Sequence, residues 1–209
     1  MLSQIVNEAR QAAITAENDF ISKHGEMAYC GFAWVEVYVN RTNSKEAKEL
    51  AFKAAKARGV TTILNPAPYE ELSTELISLC DWIIPNETEF AGMHPRGLRP
   101  DSDSIIKELS DQLGCRFAVT LGENGAAYCD NSGTISRVRA PKVNAIDTTG
   151  AGDAFVGAFA FGLASGLSDQ KAAELGCICA SDSVTRLGTQ SSYPTPDQAK
   201  SLLAQVANG

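Results

Sequence analysis

The sequence predicts an α/β fold, in which a doubly wound, mostly parallel sheet carries helices on its faces. Two short segments, 60–64 and 82–84, consist of apolar and β-branched residues and are typical of strands buried on both faces of a parallel sheet. Segments with apolar residues at helical spacing lie between the strands, and this alternation indicates βα units. The 209 residues are enough to bury a sizeable core, so we expect a single domain over residues 1–209.

The types and spacing of the residues also predict where the individual strands and helices lie along the chain. The predicted strands, rich in β-branched and aromatic residues, cover residues 27–39, 60–64, 82–84, 117–121, 126–129 and 134–138. The predicted helices cover residues 2–16, 43–58, 72–79, 86–93, 101–113, 151–165, 168–184 and 196–207. We expect the last two strands to form a hairpin around residues 130–133.

Polar residues at the expected helix starts predict how those helices begin. Thr42 or Asn43, then Asn86 and later Asp101 precede helical segments, and their side-chain oxygens can accept the unpaired N–H groups of the first turn. Gly114 follows one of these helices and is expected to end it.

Four residues are expected to follow strands directly: Asn65, Asn86, Gly122 and Asp147. In open α/β sheets, ligands bind at the carboxyl ends of the strands. These residues therefore predict one functional rim.

Composition excludes several classes of protein. The net charge of −7 argues against a nucleic-acid or anionic-membrane surface, and no apolar run reaches the length of a membrane span. The N-terminus lacks a secretory signal, so we expect a cytoplasmic protein. With two histidines and no C-x-x-C pair, a zinc site is not expected, and the six cysteines are interpreted as buried, reduced thiols: Cys30, Cys80, Cys115, Cys129, Cys177 and Cys179.

The segment 147–153, with sequence DTTGAGD, concentrates the features of an anion site. The small residues Gly150, Ala151 and Gly152 let a ligand approach the backbone, and a helix begins there with unpaired N–H groups. Asp153 lies in the first turn of this helix. An anion-binding turn with a base beside it suits phosphoryl transfer to a hydroxyl group. For the segment alone, a carboxylate that only complements the helix dipole is an equally good interpretation.

Other nucleotide and hydrolase motifs are absent from the sequence. No G-x-x-x-x-G-K-[ST] loop occurs, and Gly150–Gly152 lacks the third glycine of the dinucleotide fingerprint. No G-x-S-x-G elbow occurs either, so the sequence gives little support to hydrolase chemistry.

Five segments in a fixed order resemble the ribokinase branch of the PfkB carbohydrate-kinase family. They are NPAP at 65–68, PNETE at 85–89, VTLGENG at 119–125, DTTGAGDAFVGAF at 147–159 and SVTRLGTQSSYP at 183–194. The resemblance is good over residues 45–207 and poor over the first 40, which are atypical. It implies a kinase that uses ATP, Mg²⁺ and an activating monovalent cation, K⁺.

The resemblance also implies roles for individual residues. Asp153 is similar to the base that takes the proton of the sugar hydroxyl, and the amides of residues 150–152 are similar to an anion hole for the transferred phosphate. The implied nucleotide contacts are Asn86, Thr120, Leu121, Gly122, Glu123, Asn124, Gly125, Gly152 and Cys177.

Implied metal sites lie in two further groups. Glu89 resembles a carboxylate that organises Mg²⁺ through water, although Asn86 and Glu89 also have the spacing of a simple capping box. The implied monovalent-cation site contains Asp147, Thr149, Ser183, Arg186, Gly188 and Ser192. For Arg186 alone, an ordinary surface cation is an equally good interpretation.

Two departures from the family pattern affect the expected activity. Cys177 stands where the family usually has an asparagine near the adenine, which removes a hydrogen bond. The sugar-binding segment and β-sheet lid with which family members begin are not found, and Glu36 is only a weak match to a sugar contact. We therefore expect the isolated chain to be weakly active or inactive, and we do not assume a homodimer, because relatives often dimerise through the lid.

The function that the resemblance implies is ATP-dependent phosphorylation of D-ribose to D-ribose 5-phosphate, with sugar and ATP as small-molecule partners. Two alternatives remain open. One is another PfkB kinase, such as a fructokinase, a nucleoside kinase or a ketodeoxygluconate kinase. The other is a non-catalytic nucleotide-binding module.

Overall fold

Five strands form one sheet in the order β1-β2-β3-β4-β5 in the computed structural model, which describes residues 45–208. The strands are β1 Ile63–Leu64, β2 Trp82–Ile83, β3 Arg116–Thr120, β4 Ala126–Cys129 and β5 Ile135–Val138. The α-helices are α1 Lys45–Ala57, α2 Thr74–Ser78, α3 Glu87–Met93, α4 Asp103–Leu113, α5 Ala151–Ala164, α6 Asp169–Ser183 and α7 Pro196–Asn208. The predictions for helix 2–16, strand 27–39, the cap at Thr42 or Asn43, Cys30 and Glu36 lie outside the described residues.

The sheet confirms the predicted fold class. β1, β2 and β3 are parallel, with Ile63 paired to Trp82 and Trp82 to Arg116. β4 is antiparallel to β3 and to β5, so β5 runs in the same direction as the first three strands. The antiparallel β4–β5 pair is the predicted hairpin, and Asp130 closes its turn by accepting the backbone N–H groups of Ser132 and Thr134.

Alternating side chains place a hydrophobic core on each face of the sheet. Ile83 points to one face and packs with apolar residues of α1 to α4, while its neighbours Trp82 and Ile84 point to the other face. There they pack with Phe155 and Phe159 of α5 and with residues of α6. Because side chains alternate between the two faces, both residues of β2 are buried although the strand is only two residues long. α6 and α7 share a further, smaller cluster.

Two local predictions are wrong. Ser102, not Asp101, is the N-cap residue of α4, because Asp101 lies in a turn in which its own N–H bonds to the carbonyl of Arg99. Asp147 does not follow a strand: β5 ends at Val138, and the intervening segment contains Pro141, which has no N–H to donate to a ladder. The chain is instead held at Asp147 by tertiary hydrogen bonds. Among the described helices, none is long and apolar enough to cross a membrane.

Candidate active site

The N-terminus of α5 forms the centre of the candidate site. Gly150 is the N-cap residue and has φ +81, a left-handed conformation that strains any residue with a Cβ. A Cβ built on Gly150 would also lie 2.6 Å from the hydroxyl of Tyr193. Asp153 is exposed in the first turn of the helix. The small residues of the turn therefore allow a close backbone approach beside a carboxylate.

Backbone N–H groups at this turn are available to a ligand. Ala151 donates its N–H to the carbonyl of Thr148 at 3.2 Å. Within residues 45–208, the N–H groups of Gly152 and Asp153 have no backbone acceptor, as expected for the first turn of a helix. Among the described residues, a Cβ at Gly152 would meet nothing within 4 Å, so this part of the chain leaves the space outside the turn open. The turn can therefore present two N–H groups and the positive end of the helix dipole to an anion.

Asn86 and Glu89 form a complete capping box at the start of α3. The Asn86 side chain accepts the backbone N–H groups of Thr88 and Glu89, each at 2.9 Å, and the Glu89 carboxylate accepts the N–H of Asn86 at 2.8 Å. The structural interpretation of this pair is thus confirmed. The implied contacts of Asn86 with nucleotide and of Glu89 with Mg²⁺ stay predictions.

Glu89 and Asp153 lie close enough to interact electrostatically. Burial raises the pKa of Glu89, the hydrogen bond from the backbone of Asn86 opposes this, and the negative charge of Asp153 raises the pKa further. Two carboxylates from different helices therefore share one region, and a bound cation would relieve their repulsion. The described residues contain no group of three or more acidic, cysteine or histidine side chains arranged to hold a metal ion. A Mg²⁺ ion here would consequently depend on water and phosphate oxygens as well as protein carboxylates, which is its usual mode of binding.

The segment 120–125 is fixed next to Asn86. Thr120 donates its N–H to the carbonyl of Pro85 at 3.0 Å and forms a parallel β-bridge with Asn86. Leu121 donates to Gly125 at 2.8 Å, and residues 122–124 form a 3₁₀ turn between them. Gly122, Glu123 and Asn124 are exposed. The structure thus brings the two predicted nucleotide segments together at the carboxyl ends of β2 and β3.

Asp147 links the predicted cation-binding segments. Its carboxylate accepts the N–H of Thr149 at 2.9 Å and the N–H of Gly188 at 3.0 Å. The carbonyl of Val184 accepts the N–H groups of Ile146 and Asp147, at 2.7 and 3.2 Å. The turn before α5 and the loop after α6 are therefore one connected unit.

Arg186 connects the loop after α6 to the end of that helix. Its guanidinium pairs with Asp182 on α6 and donates to the carbonyl of Ser192 at 2.7 Å. Ser192 and Ser183 are buried, and their hydroxyls donate to the backbone carbonyls of Thr189 and Ala180. Arg186 therefore acts as an internal connection and is not simply a surface cation.

Cys177 is not brought to the surface that the other residues share. Only 2% of it is exposed, and it lies in the core cluster of α5, α6 and the sheet, with Phe155 among its members. Burial raises the pKa of its thiol to about 12. The implied adenine-side contact of Cys177 stays a prediction, and the weak sugar contact assigned to Glu36 lies outside the described residues.

Tyr193 is the residue of this region that the sequence did not single out. It ends the segment after the 3₁₀ turn Gln190–Ser192, and its hydroxyl lies 3.5 Å from Oδ2 of Asp153. It belongs to the segment SVTRLGTQSSYP at 183–194, but nothing in the spacing of 40 residues indicates that it approaches Asp153.

Comparison with known proteins identifies the family. The model of the pfkB family carbohydrate kinases matches residues 5–196. The chain is 38% identical over 155 residues to a ribokinase of Schizosaccharomyces pombe, an alignment that covers 72% of this chain and 49% of the relative. It is 37% identical over 158 residues to a deoxyribokinase of Salmonella typhi, covering 74% of this chain and 51% of the relative.

A solved structure shares the fold. The ribokinase of Arabidopsis thaliana, complexed with ribose and ATP, superposes with a TM-score of 0.70 at 26% identity, over 77% of this chain and 53% of that one. The chain spans about half the length of the relatives it matches. Because the family model covers most of the sequence, the chain belongs to the pfkB family of carbohydrate kinases.

Proposed function

We propose that this chain is the nucleotide-binding, base-bearing part of a sugar kinase that transfers the γ-phosphoryl group of ATP to D-ribose, giving ADP and D-ribose 5-phosphate. The observation that carries the proposal is the α5 turn, where Asp153 lies beside N–H groups that have no backbone acceptor among the described residues. Glu89 of α3 is near enough for the charge of Asp153 to raise its pKa. Base, anion-binding turn and cation-attracting carboxylates are the groups that phosphoryl transfer needs in one place. The similarity to ribokinases supports ribose as the acceptor.

In this proposal, Asp153 accepts the proton of the attacking hydroxyl while the oxygen bonds to phosphorus and the bond to ADP breaks. The amides of Gly150, Ala151 and Gly152 stabilise charge on the phosphoryl oxygens, with Gly152 best placed because its N–H has no acceptor within the described chain. Glu89 would hold Mg²⁺ through water, and the ion supplies neutralisation of phosphate charge.

The remaining site assignments belong to the same proposal. Asn86, residues 120–125 and Cys177 would contact the nucleotide, while residues 147–149 and 183–192 would hold K⁺ with carbonyl oxygens. A cytoplasmic location fits the five cysteines of the described part, all of which are unpaired thiols.

The 2-deoxy analogue of ribose is a second candidate substrate. The chain is nearly as similar to a deoxyribokinase as to a ribokinase, at 37% against 38% identity. Parallel assays with ribose and 2-deoxyribose distinguish the two, because only the 2-hydroxyl differs between these sugars.

The proposal is tested by measuring radiolabelled sugar phosphate formed from labelled ATP, an assay sensitive enough for a weakly active chain. We expect Asp153→Asn to lower the rate by about 100-fold or more, in the range of a lost general base. The control is Asp197→Asn, because Asp197 is also an exposed aspartate in the first turn of a helix. We propose that this chain is weakly active, not inactive. Equal rates for wild type and Asp153→Asn, or no sugar phosphate from any variant, would therefore contradict the proposed function. Nucleotide binding without transfer would instead support a non-catalytic binding module.

A further inference from the structure

Tyr193 lies at the point where the α5 turn and the proposed base meet. Its hydroxyl is 3.5 Å from Oδ2 of Asp153 and occupies the space into which a Cβ on Gly150 would project, 2.6 Å away. The hydroxyl is thus next to both the N-cap residue and the carboxylate. Tyr193 is half-buried, so the position of its ring is restricted by neighbouring groups.

The backbone that carries Tyr193 is held on both sides. Ser192, directly before it, is fully buried, and its carbonyl accepts the guanidinium of Arg186. Further back, Gly188 is bonded to Asp147, only three residues before Gly150. The loop that delivers the hydroxyl is therefore connected to the segment that carries the proposed base.

We propose that Tyr193 is a positioning residue for Asp153: its hydroxyl donates to Oδ2 and leaves Oδ1 to accept the proton of the sugar hydroxyl. This inference rests on the proposed function. A separation of 3.5 Å is long, since O–H···O⁻ bonds are ordinarily about 2.5–2.7 Å. Hydrogen bonds at active sites are often long without substrate and shorten in the reacting complex. A movement of about 1 Å would complete this one.

The chemical step leaves Tyr193 unchanged. The proton moves from the sugar hydroxyl to Oδ1 of Asp153, the oxygen electron pair forms the new bond to phosphorus, and the bond to the ADP oxygen breaks. Tyr193 keeps its proton throughout. Its effect is to restrict the rotation of the carboxylate, so that the accepting oxygen faces the reacting hydroxyl more of the time.

The test compares Tyr193→Phe with Tyr128→Phe in the labelled sugar phosphate assay. Tyr128→Phe is a matched control, because it also removes one phenolic hydroxyl, that of a buried tyrosine in β4 of the core hairpin. We expect Tyr193→Phe to lower kcat about tenfold, while KM for ATP and for the sugar stays within about twofold, because only the orientation of the base changes. The control should keep the wild-type kcat.

A second comparison separates positioning from a general structural effect. In an Asp153→Asn background, adding Tyr193→Phe should lower the residual rate no further, because the hydroxyl acts through the carboxylate. An equal loss in both backgrounds, or a Tyr193→Phe rate equal to the control, overturns the inference while leaving the proposed function intact. Wild-type protein that forms no sugar phosphate overturns both.

Discussion

The carboxylate of Asp147 accepts the backbone N–H of Gly188, a residue 41 positions later, at 3.0 Å. Its other oxygen accepts the N–H of Thr149. The Thr149 side chain, the Thr149 amide and the Gly188 amide all favour the charged carboxylate and lower the pKa of Asp147. One ionised side chain therefore holds the turn before α5 against the loop after α6.

We predict that Asp147→Ala loosens this connection. The amides of Thr149 and Gly188 lose their acceptor, so their hydrogen exchange, followed by NMR, should accelerate by about tenfold or more. Asp130→Ala is a matched control, since Asp130 also accepts two backbone N–H groups in a turn, but far from the site. Unchanged protection of Gly188 in Asp147→Ala would contradict the assigned role.

Acid should have the same effect as that substitution. Because folding lowers the pKa of Asp147, its stabilising contribution is complete above the ordinary carboxyl pKa of about 3.9 and is lost as pH falls through the lowered value. We predict that the Gly188 amide loses protection in that acidic range in wild type but shows no such transition in Asp147→Ala.

The pKa of Glu89 provides a direct measure of its closeness to Asp153. Since burial raises this pKa and the Asp153 charge raises it further, Asp153→Asn should move it down towards the ordinary value. The measurement is a ¹³C NMR titration of the Glu89 carboxyl. Asp197→Asn should leave the titration unchanged, and a Glu89 pKa that ignores Asp153→Asn would show that the two carboxylates do not interact.

The sign of this shift also affects stability. Folding raises the pKa of Glu89, so this group stabilises the folded protein at pH values below its unfolded-state pKa of about 4.3. That contribution to the free energy of unfolding is lost as pH rises through the folded-state pKa. Asp153→Asn should weaken this dependence, which chemical denaturation at several pH values can measure.

Replacement of Gly150 tests the packing of Tyr193 on the α5 turn. Gly150→Ala should cost about 1–2 kcal/mol for its left-handed backbone and more for the contact with the Tyr193 hydroxyl. Gly166→Ala is the control, because Gly166 has the same φ of +81 but no atom of residues 45–208 lies within 4 Å of its Cβ position. Tyr193→Phe should recover part of the loss in Gly150→Ala, because it removes the obstructing oxygen. Equal losses at Gly150 and Gly166 in denaturant titrations would rule out this contact.

The buried thiols should be inert in the folded protein. Burial raises the pKa of Cys115 and Cys177 to about 12 and of Cys179 to about 11, and Cys80 and Cys129 are buried as well. In a Cys30→Ser background, a thiol reagent at neutral pH should react slowly with native protein and fully after denaturation, because thiolate is the reactive form. Rapid reaction of Cys177 that ATP prevents would show instead that its surroundings open to a nucleotide.

Local sequence signals were sufficient where neighbours along the chain determine structure. The spacing of Asn86 and Glu89 predicted a capping box, and the hairpin at residues 130–133 was also predicted. Strands were shorter than predicted at residues 60–64, because only Ile63 and Leu64 pair with β2. Burial was also less complete than predicted, since Thr62 and Leu64 are buried but Thr61 is exposed. A short apolar or β-branched run therefore did not determine how many of its residues are buried or join a ladder.

Contacts between distant segments could not be predicted in the same way. The pairing of Asp147 with Gly188 and the approach of Tyr193 to Asp153 depend on how α5 and α6 pack, which no spacing in the sequence encodes. The family resemblance named most residues of the candidate site, yet it gave no reason to consider Tyr193. The burial of Cys177 was predicted, but its place in the core between α5, α6 and the sheet became visible only from their packing.

The bond between Asp147 and Gly188 also has a consequence for protein engineering. This hydrogen bond joins the residue before the α5 turn to the loop after α6, so the chain from Asp147 to Gly188 forms a loop that is closed at the candidate site. The opposite end of this loop is the short connection between α5 and α6 around Gly166. Extra residues inserted at that connection, for example a peptide tag, would lengthen this loop without moving Asp147 or Gly188, since nothing in the described part of the chain lies within 4 Å of a Cβ at Gly166. The same insertion between Val184 and Gly188 would change the course of the chain that places Gly188 beside Asp147.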